Sequence, residues 1–241
     1  MCTLSFIARK RGYVVAMNRD ERLARPGARA PRVFRFGGRR ALYPSERTGG
    51  AWIAANDSGI ILALLNRNAR PGLVQTRSRG GVIPKLIGTH SAVQLRARFA
   101  RLDLRGMLPF RLIAFCPRER VVLEWSWNGK KTRAARRPWA TRHWFSSGLS
   151  DRKATHFRGG TCRAAWREPG AGSATWLRRL HRSHAPQRGP FSVCAHREEA
   201  GTVSYTEIAV TPSRLAMRYR PGPPCAPARF RALPLLLQPL P

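Results

Sequence analysis

A cysteine and a short polar cluster near the start of the chain carry the residue types needed for nucleophilic catalysis. Cys2 directly follows the first methionine, and the segment Asn18-Arg19-Asp20-Glu21 follows it after one tight basic turn. Nucleophilic catalysis needs a thiol or hydroxyl, a base beside it and donors that stabilise the oxyanion. A nearby positive charge favours the thiolate form of a cysteine, which is the attacking form. These residues are therefore the first candidate for a site.

The elements around this cluster predict that its two parts meet. The runs CTLSFIA and YVVAM are typical of β-strands, and the turn between them contains Gly12. A hairpin that turns about Lys10 and Arg11 places Cys2 opposite Arg19 or Asp20, within reach of a cross-strand neighbour. We expect Cys2 to lie at the end of a central strand.

The pairing suggests a role for each neighbour. Removal of Met1 would free the α-amino group of Cys2, whose reference pKa is about 7.7–8.0, so that it can act as base for its own thiol. We expect Arg19 to lower the thiol pKa, and Asp20 or Glu21 to orient the ammonium group.

Simpler explanations exist for both parts. A cysteine at position 2 is often a small apolar residue at a strand end. The polar segment 18–21 can also form a capped turn that leads into Arg22–Arg25. The coincidence of the two in register favours a site over two unrelated structural features.

The charge of the chain is strongly positive. In 241 residues, 45 Lys and Arg face 12 Asp and Glu, which gives a formal net charge of +33. Such a balance is typical of nucleic-acid-binding proteins. Here the basic residues are spread along the whole chain, most of them are arginines, and no finger or RNA-recognition motif is present. We interpret the charge as a compositional bias and expect no specific nucleic-acid partner.

Cysteine usage and hydropathy indicate a cytoplasmic protein. The five cysteines are widely spaced with no CxxC pair, which predicts neither a disulfide framework nor a zinc site. We expect Cys116, Cys162, Cys194 and Cys225 to be inert thiols. The first residues lack the apolar region of a secretory signal, and no apolar run is long enough for a membrane span.

The order of strand and helix signals predicts an antiparallel α+β fold. Asn56–Gly59 and Asn128-Gly129 indicate hairpin turns. Further strands are predicted at 109–115, 120–127, 142–147, 191–196, 201–210 and 214–220. Helices are predicted at Val82–Ile87, at 91–102 with Ser91 as N-cap, at Asp151–Trp166 and at 173–184. We expect one domain over residues 1–220 and a proline-rich, partly ordered C-terminal tail over 221–241.

These segments carry a resemblance to a known family. The start MCTLSF…AMNRDERLARP resembles that of the NRDE-motif family, also called the transport and Golgi organisation protein 2 family. The likeness continues in GGAWIAANDSG, LALLNRN, SSGLSD and GTVSYTEIAV, up to about Pro221. It is greatest for the shorter bacterial branch of that family.

The resemblance implies a four-layer αββα sandwich similar to the N-terminal nucleophile hydrolases. Among these, bile-salt hydrolases and penicillin V acylases also begin Met-Cys and cleave amides through the thiol. They carry an Arg and an Asp three residues apart, positions that fall here on Asn18 and Glu21, with Arg19 and Asp20 between them. Asn66 matches their oxyanion-hole amide, whereas Ser147 or Gly148 stands where they have a second asparagine.

Two functions of different classes follow. The first is a cysteine N-terminal nucleophile amidohydrolase without a cofactor, acting on a small acyl-amide; its catalytic residues are drawn from Cys2, Asn66 and the segment 18–21. The alternative is a non-catalytic binding or trafficking protein for a hydrophobic anionic ligand such as haem or acyl-CoA.

The histidines are weaker candidates. His181 and His184 are three residues apart on a predicted helix, but no third metal ligand is evident, so we expect a solvated helix face. For His196 we expect a surface or packing role.

Overall fold

The computed structural model describes residues 2–69, 72–227 and 229–238. Within these residues, thirteen strands form two antiparallel sheets. Strands are numbered in chain order. The first sheet has the spatial order β10 (Arg142–Ser146), β1 (Cys2–Ala8), β2 (Tyr13–Arg22), β11 (Ala200–Val210), β12 (Arg214–Pro221), β13 (Arg231–Leu236). The second sheet has the order β3 (Arg29–Phe36), β4 (Arg39–Ser45), β5 (Ile53–Asn56), β6 (Ile61–Asn66), β7 (Phe110–Cys116), β8 (Val121–Trp127), β9 (Thr132–Pro138).

Helices cover the outer face of each sheet. Helices α1 (Val82–Leu86) and α2 (Ala92–Ala100) pack on the second sheet, and α3 (Asp151–Ala165) and α4 (Ala174–Arg182) pack on the first. A third apolar core lies between the two sheets. The predicted α+β class and αββα layering are confirmed. No helix in the described part of the chain combines the length and apolar character needed to cross a bilayer.

Serine caps fix where the longer helices begin. Ser91, Ser150 and Ser173 each accept a hydrogen bond from a backbone N–H in the first turn of α2, α3 and α4. Such a cap satisfies a donor that the helix leaves unpaired and stabilises it by about 1 kcal/mol. All four predicted helices are present, and Ser91 has the predicted capping role.

The first hairpin has the predicted register. Cys2 pairs with Arg19 across β1 and β2. The turn needs Gly12, because φ there is +90° and an added Cβ would lie 2.0 Å from the carbonyl oxygen of Val210. The segment 18–21 lies inside β2 rather than in a turn, since β11 pairs with its other edge.

Three segments differ from the sequence predictions. Strands β3 and β4 were not foreseen, because Arg29–Phe36 is rich in exposed arginines and lies at a sheet edge. Residues 191–196 form no strand; they lie in an irregular segment in which Cys194 N–H bonds the carbonyl of Ser183.

The C-terminal segment is the third difference. Residues after Pro221 are not only a tail, because Arg231–Leu236 forms β13 and pairs with β12. Leu235 is buried opposite Leu215, which provides the apolar contact that holds this edge strand. Pro234 is tolerated there because an edge strand leaves one side of its backbone unpaired. Residues 231–236 of the predicted tail therefore belong to the first sheet.

Candidate active site

A small cleft between the two sheets opens at the first residue of β1. Its cavity volume is about 70 Å³, and its walls include Cys2, Arg19, Trp52, Asn66 and Arg79. Asn66, the last residue of β6, therefore faces the same cleft as Cys2, as the sequence led us to expect.

Strand pairing holds Cys2 on both sides. Its backbone lies between Arg19 of β2 and Ser146 of β10, so β1 is a central strand, as expected. On the far edge of β2, the pairing shifts between Thr202 and Ser204 of β11, which is a bulge. Bulges often occur next to active sites, where they redirect side chains.

The motif at 18–21 is divided between the two faces of β2. Successive side chains of a strand point to opposite faces. The side chains of Arg19 and Glu21 face the cleft, whereas those of Asn18 and Asp20 bond groups on the helix side, although Asp20 also borders the cleft. Asn18 does not line the cleft: its Nδ2 donates to the carbonyl oxygens of His181 and Val193, 2.9 Å away in each case. Direct contact between Asn18 and the thiol is therefore excluded in this structure.

On the cleft face, two arginines and two glutamates form a closed ring of ion pairs. Arg19 Nη2 lies 2.9 Å from Glu46 and 3.5 Å from Glu21. Arg25 lies 2.9 Å from Glu21 and 3.0 Å from Glu46. The guanidinium carbon of Arg19 also lies 4.3 Å from the centre of the Trp52 ring, a cation–π distance. The ring fixes Arg19 beside Cys2.

The ionisation of the cleft residues follows from burial and from these pairs. Burial raises the pKa of Glu21, but the Arg22 N–H and the guanidiniums of Arg25 and Arg19 outweigh it, so the pKa is lowered. Burial raises the pKa of the Cys2 thiol, and the Asp20 carboxylate adds to the rise; the Asp20 N–H and, more weakly, Arg19 oppose it. We expected Arg19 to lower the pKa of the Cys2 thiol. Burial outweighs that effect, because Cys2 is only 4% exposed.

Arg79 is a cleft residue that sequence reasoning missed. It belongs to a short 3₁₀ turn, Arg79–Gly81, and its Nη1 donates to the carbonyl of Pro109 at 3.0 Å. Burial lowers its pKa, and Glu21 opposes that shift. The segment around it is one of many arginine-containing stretches in this chain, so no sequence signal distinguished it.

At the second oxyanion position, the backbone N–H of Ser147 is already used by another group. The backbone N–H of Ser147 donates to Asp151 Oδ1 at 2.8 Å, and the Ser147 hydroxyl oxygen accepts from the N–H groups of Leu149 and Ser150. These bonds shape the start of α3. Ser147 therefore supports the helix cap and offers the cleft no N–H.

On the helix face, Asp20 is held by a fully buried ion pair. Arg158 of α3 donates to Asp20 Oδ2 at 3.0 Å, and the Thr202 hydroxyl donates to Asp20 Oδ1 at 2.6 Å. Arg158 also donates to Thr3 Oγ1 at 3.0 Å and to the carbonyl of Pro190 at 3.1 Å. Sequence reasoning missed Arg158, because a single arginine in a helix gives no sign of burial.

A second buried network lies beside this pair and includes two histidines. His181 Nδ1 is 2.9 Å from Asn18 Oδ1, and His181 Nε2 is 2.9 Å from Ser5 Oγ. Ser5 Oγ is 2.8 Å from His143 Nδ1, and Trp166 Nε1–H donates to His143 Nε2 at 3.4 Å. The expectation that His181 lies on a solvated face was wrong.

The ends of this network fix its proton positions. Trp166 Nε1–H can only donate, and Asn18 Oδ1 can only accept, because the Asn18 NH₂ group bonds two carbonyls. His143 Nε2 must therefore accept, which makes His143 neutral with its proton on Nδ1, and His181 carries a proton on Nδ1. Burial agrees with this, since it lowers the pKa of His181 to about 3 and that of His143 to about 4.

Comparison with solved structures supports the four-layer fold. Penicillin V acylase from Agrobacterium tumefaciens superposes with a TM-score of 0.53 at 9% identity, over 92% of this chain and 83% of the acylase. Two variants of the conjugated bile acid hydrolase from Clostridium perfringens give TM-scores of 0.51 and 0.54 at 8% identity, over 97% of this chain and 92% of theirs. At these identities the likeness shows a shared fold.

Comparison of sequences identifies the family. No curated protein sequence matches the chain at a significant level. The profile of the Transport and Golgi organisation 2 family matches residues 1–161, which include both strands of the first hairpin and the whole of the cleft. The match covers well over half of the chain, and the chain therefore belongs to the Transport and Golgi organisation 2 family.

Proposed function

We propose that the protein is a cysteine N-terminal nucleophile amidohydrolase that cleaves the C–N bond of a small acyl-amide. The observation that carries the proposal is the pairing of Cys2 with Arg19 at a cleft that Asn66 also lines. It puts a thiol, a cation and an amide donor around one small space. The acylase fold of the structural neighbours supports the same reaction class.

The reaction begins at Cys2. After removal of Met1, which lies outside the described residues, the free α-amine takes the thiol proton and Sγ attacks the carbonyl carbon. A tetrahedral oxyanion forms, and the Asn66 amide donates to it. The C–N bond then breaks, the amine leaves with the proton from the α-ammonium group, and an acyl thioester remains on Cys2. Water hydrolyses the thioester to the free acid and restores the thiol.

Asp20 is the residue suited to hold the α-ammonium group. Its carboxylate acts electrostatically on Cys2, and Arg158 and Thr202 fix its two oxygens. Glu21 is occupied by the ion-pair ring. Asp20 therefore positions the base, while Arg19 and Arg79 offer positive charge to an anionic part of the substrate.

The test is hydrolysis of a panel of N-acyl amides, including penicillin V and conjugated bile acids, with the purified full chain. We expect Cys2→Ala to abolish turnover. Asn66→Ala should lower kcat by a factor of about 10²–10³, the usual loss of one oxyanion donor. Cys162→Ala, which removes a thiol of α3 outside the cleft, should leave turnover unchanged.

Mass spectrometry of the same samples tests the base. Active protein should begin at Cys2, and a substrate-derived acyl group should appear on that residue. Turnover by protein that retains Met1, or wild-type rates in Cys2→Ala, would show that the mechanism is wrong.

The alternative, a non-catalytic carrier of haem or acyl-CoA, has less support in this cleft. Its volume of about 70 Å³ is far below the roughly 300–1,000 Å³ typical of pockets that enclose such ligands. A groove of about 570 Å³ lies between α2 and strands β8 and β9, with Phe99 and Trp125 in its walls. It does not include the motif at 18–21, so a carrier function there would leave the motif without a role.

A further inference from the structure

Two histidines and two cysteines converge at one point outside the cleft. His184 follows α4, Cys194 and His196 lie in the irregular segment before β11, and Cys225 lies in the turn after β12. The ligand atoms of all four lie within 4.8 Å of one another. All four residues lie beyond the segment 1–161 that the family profile matches.

We propose that these four residues bind one zinc ion in a tetrahedral Cys₂His₂ site. This proposal is independent of the amidohydrolase function. It also reverses two expectations from the sequence, that the chain has no zinc site and that Cys194 and Cys225 are inert thiols. The positions of these residues in the sequence do not indicate a zinc site, because only folding brings the four side chains together.

Four of the six distances between ligand atoms fit the edges of one coordination tetrahedron, and the other two, from His184 to the sulfur atoms, are at most 4.8 Å. Zinc lies about 2.0–2.1 Å from imidazole nitrogen and about 2.3 Å from thiolate sulfur, so its edges are about 3.3 Å for N–N, 3.5 Å for N–S and 3.8 Å for S–S. The Nε2 atoms of His184 and His196 are 3.1 Å apart, and the two Sγ atoms are 3.5 Å apart. His196 Nε2 lies 3.6 Å from Cys194 Sγ and 3.4 Å from Cys225 Sγ.

The donor set selects the metal and the type of site. Two thiolates and two imidazoles suit zinc, whereas magnesium and calcium prefer oxygen ligands. Four protein ligands leave no open position for a substrate, so the ion would be structural. It would join the end of α4, the segment that follows it and the turn after β12.

One neighbour must move when the ion binds. Arg188 Nη2 lies 3.3 Å from His196 Nδ1, and this contact requires an unprotonated Nδ1. A neutral histidine that binds metal through Nε2 carries its proton on Nδ1. Arg188 is exposed, so its side chain can turn towards solvent.

The site is also connected to Asp20. Ala195, which lies between the two ligands Cys194 and His196, donates its N–H to Thr202 Oγ1 at 2.9 Å. The Thr202 hydroxyl in turn donates to Asp20 at 2.6 Å. Zinc would therefore order the segment that supports the helix face of β2.

The experiment uses full-length protein that is purified under reducing conditions, freed of metal by a chelator and titrated with zinc or cobalt. We expect one zinc per chain by elemental analysis. Cobalt should give the intense visible bands of a tetrahedral site together with thiolate charge-transfer bands. Cys225→Ala and His184→Ala should each lower zinc affinity more than roughly 100-fold, since loss of an outer-sphere contact alone costs 10–100-fold. Cys225→Ala should also weaken the charge-transfer bands.

Matched controls separate the site from general effects. Cys162→Ala and His156→Ala remove a thiol and an exposed imidazole of α3 and should leave zinc affinity unchanged. Circular dichroism of each metal-free variant checks that it folds. Absence of zinc binding by the reduced wild type would overturn the proposal, and so would a zinc affinity in both ligand variants equal to that of the wild type. Detection of a Cys194–Cys225 disulfide by mass spectrometry in the zinc-loaded protein would also overturn it.

Discussion

The two faces of strand β2 use the same four-residue motif in opposite ways. On the cleft face, Arg19 and Glu21 join a ring of ion pairs whose glutamate side chains are 19% exposed. On the helix face, the Asp20–Arg158 pair is 0% exposed at both partners. Asn18 lies on that same face and bonds buried groups only.

The difference shows that the motif has two parts. One face of β2 lines the candidate site, and the other face anchors the strand to the helices. Charges that water can reach contribute little to stability but remain available to a substrate. Buried charges and amides make no direct contact with a substrate, but breaking their pairing is costly because the partner is left without a solvent shell. We therefore expect stability to depend mainly on the helix face, and contact with the substrate to depend on the cleft face.

The largest effect should come from the buried ion pair. Arg158→Met removes one side of a fully buried ion pair, and we expect the free energy of unfolding to fall by about 3–5 kcal/mol. Chemical denaturation measures the loss. Arg152→Met, at an exposed position of the same helix, should change it by less than about 0.5 kcal/mol. Equal effects of the two variants would remove the distinction between the faces.

The next effect is a dependence of stability on pH from the two buried histidines. The pKa of His181 is lowered to about 3 and that of His143 to about 4, whereas an unfolded histidine has a pKa near 6.5. Below pH 6.5 the unfolded chain therefore binds protons that the folded chain does not. Stability should fall from pH 6.5 towards pH 4, by up to about 1.4 kcal/mol per pH unit for each histidine.

The variant His181→Gln isolates the contribution of His181 to this pH dependence of stability. The glutamine amide lies near the position of His181 Nε2 and can keep the hydrogen bond to Ser5, but it does not titrate. His181→Gln should therefore remove the His181 share of the slope in denaturation curves recorded between pH 7.5 and 4.5. A slope identical to that of the wild type would mean that His181 is protonated in the folded state.

The smallest effect on stability should come from the cleft face. In Arg19→Met, Arg25 still pairs with both glutamates, so the free energy of unfolding should fall by about 1–2 kcal/mol, less than in Arg158→Met. Arg22→Met, at an exposed position of the same strand, is the control. Because Arg19 acts on the Cys2 pKa more weakly than burial does, alkylation of Cys2 should slow by less than roughly tenfold. A loss of stability as large as that of Arg158→Met would contradict this ranking.

The sequence by itself determined the features that depend on local patterns. Alternation and the Gly12 turn set the register that pairs Cys2 with Arg19, because a hairpin of fixed loop length allows few alternatives. Serine caps fixed the helix starts, and the motif indicated the family and the four-layer fold. Strands rich in arginine, such as β3, were not predicted, because they show little of the apolar alternation that indicates a strand.

Only the tertiary structure decided which groups meet across long distances in the chain. Burial of Arg158 and His181 depends on how α3 and α4 dock on the first sheet, which no local pattern encodes. Arg79 lines the cleft, but the residues that precede it form no regular strand or helix. Cys225 approaches Cys194 only after β12 has paired with β11. In each case the contact joins residues far apart in sequence, and its partner is selected by packing of whole elements.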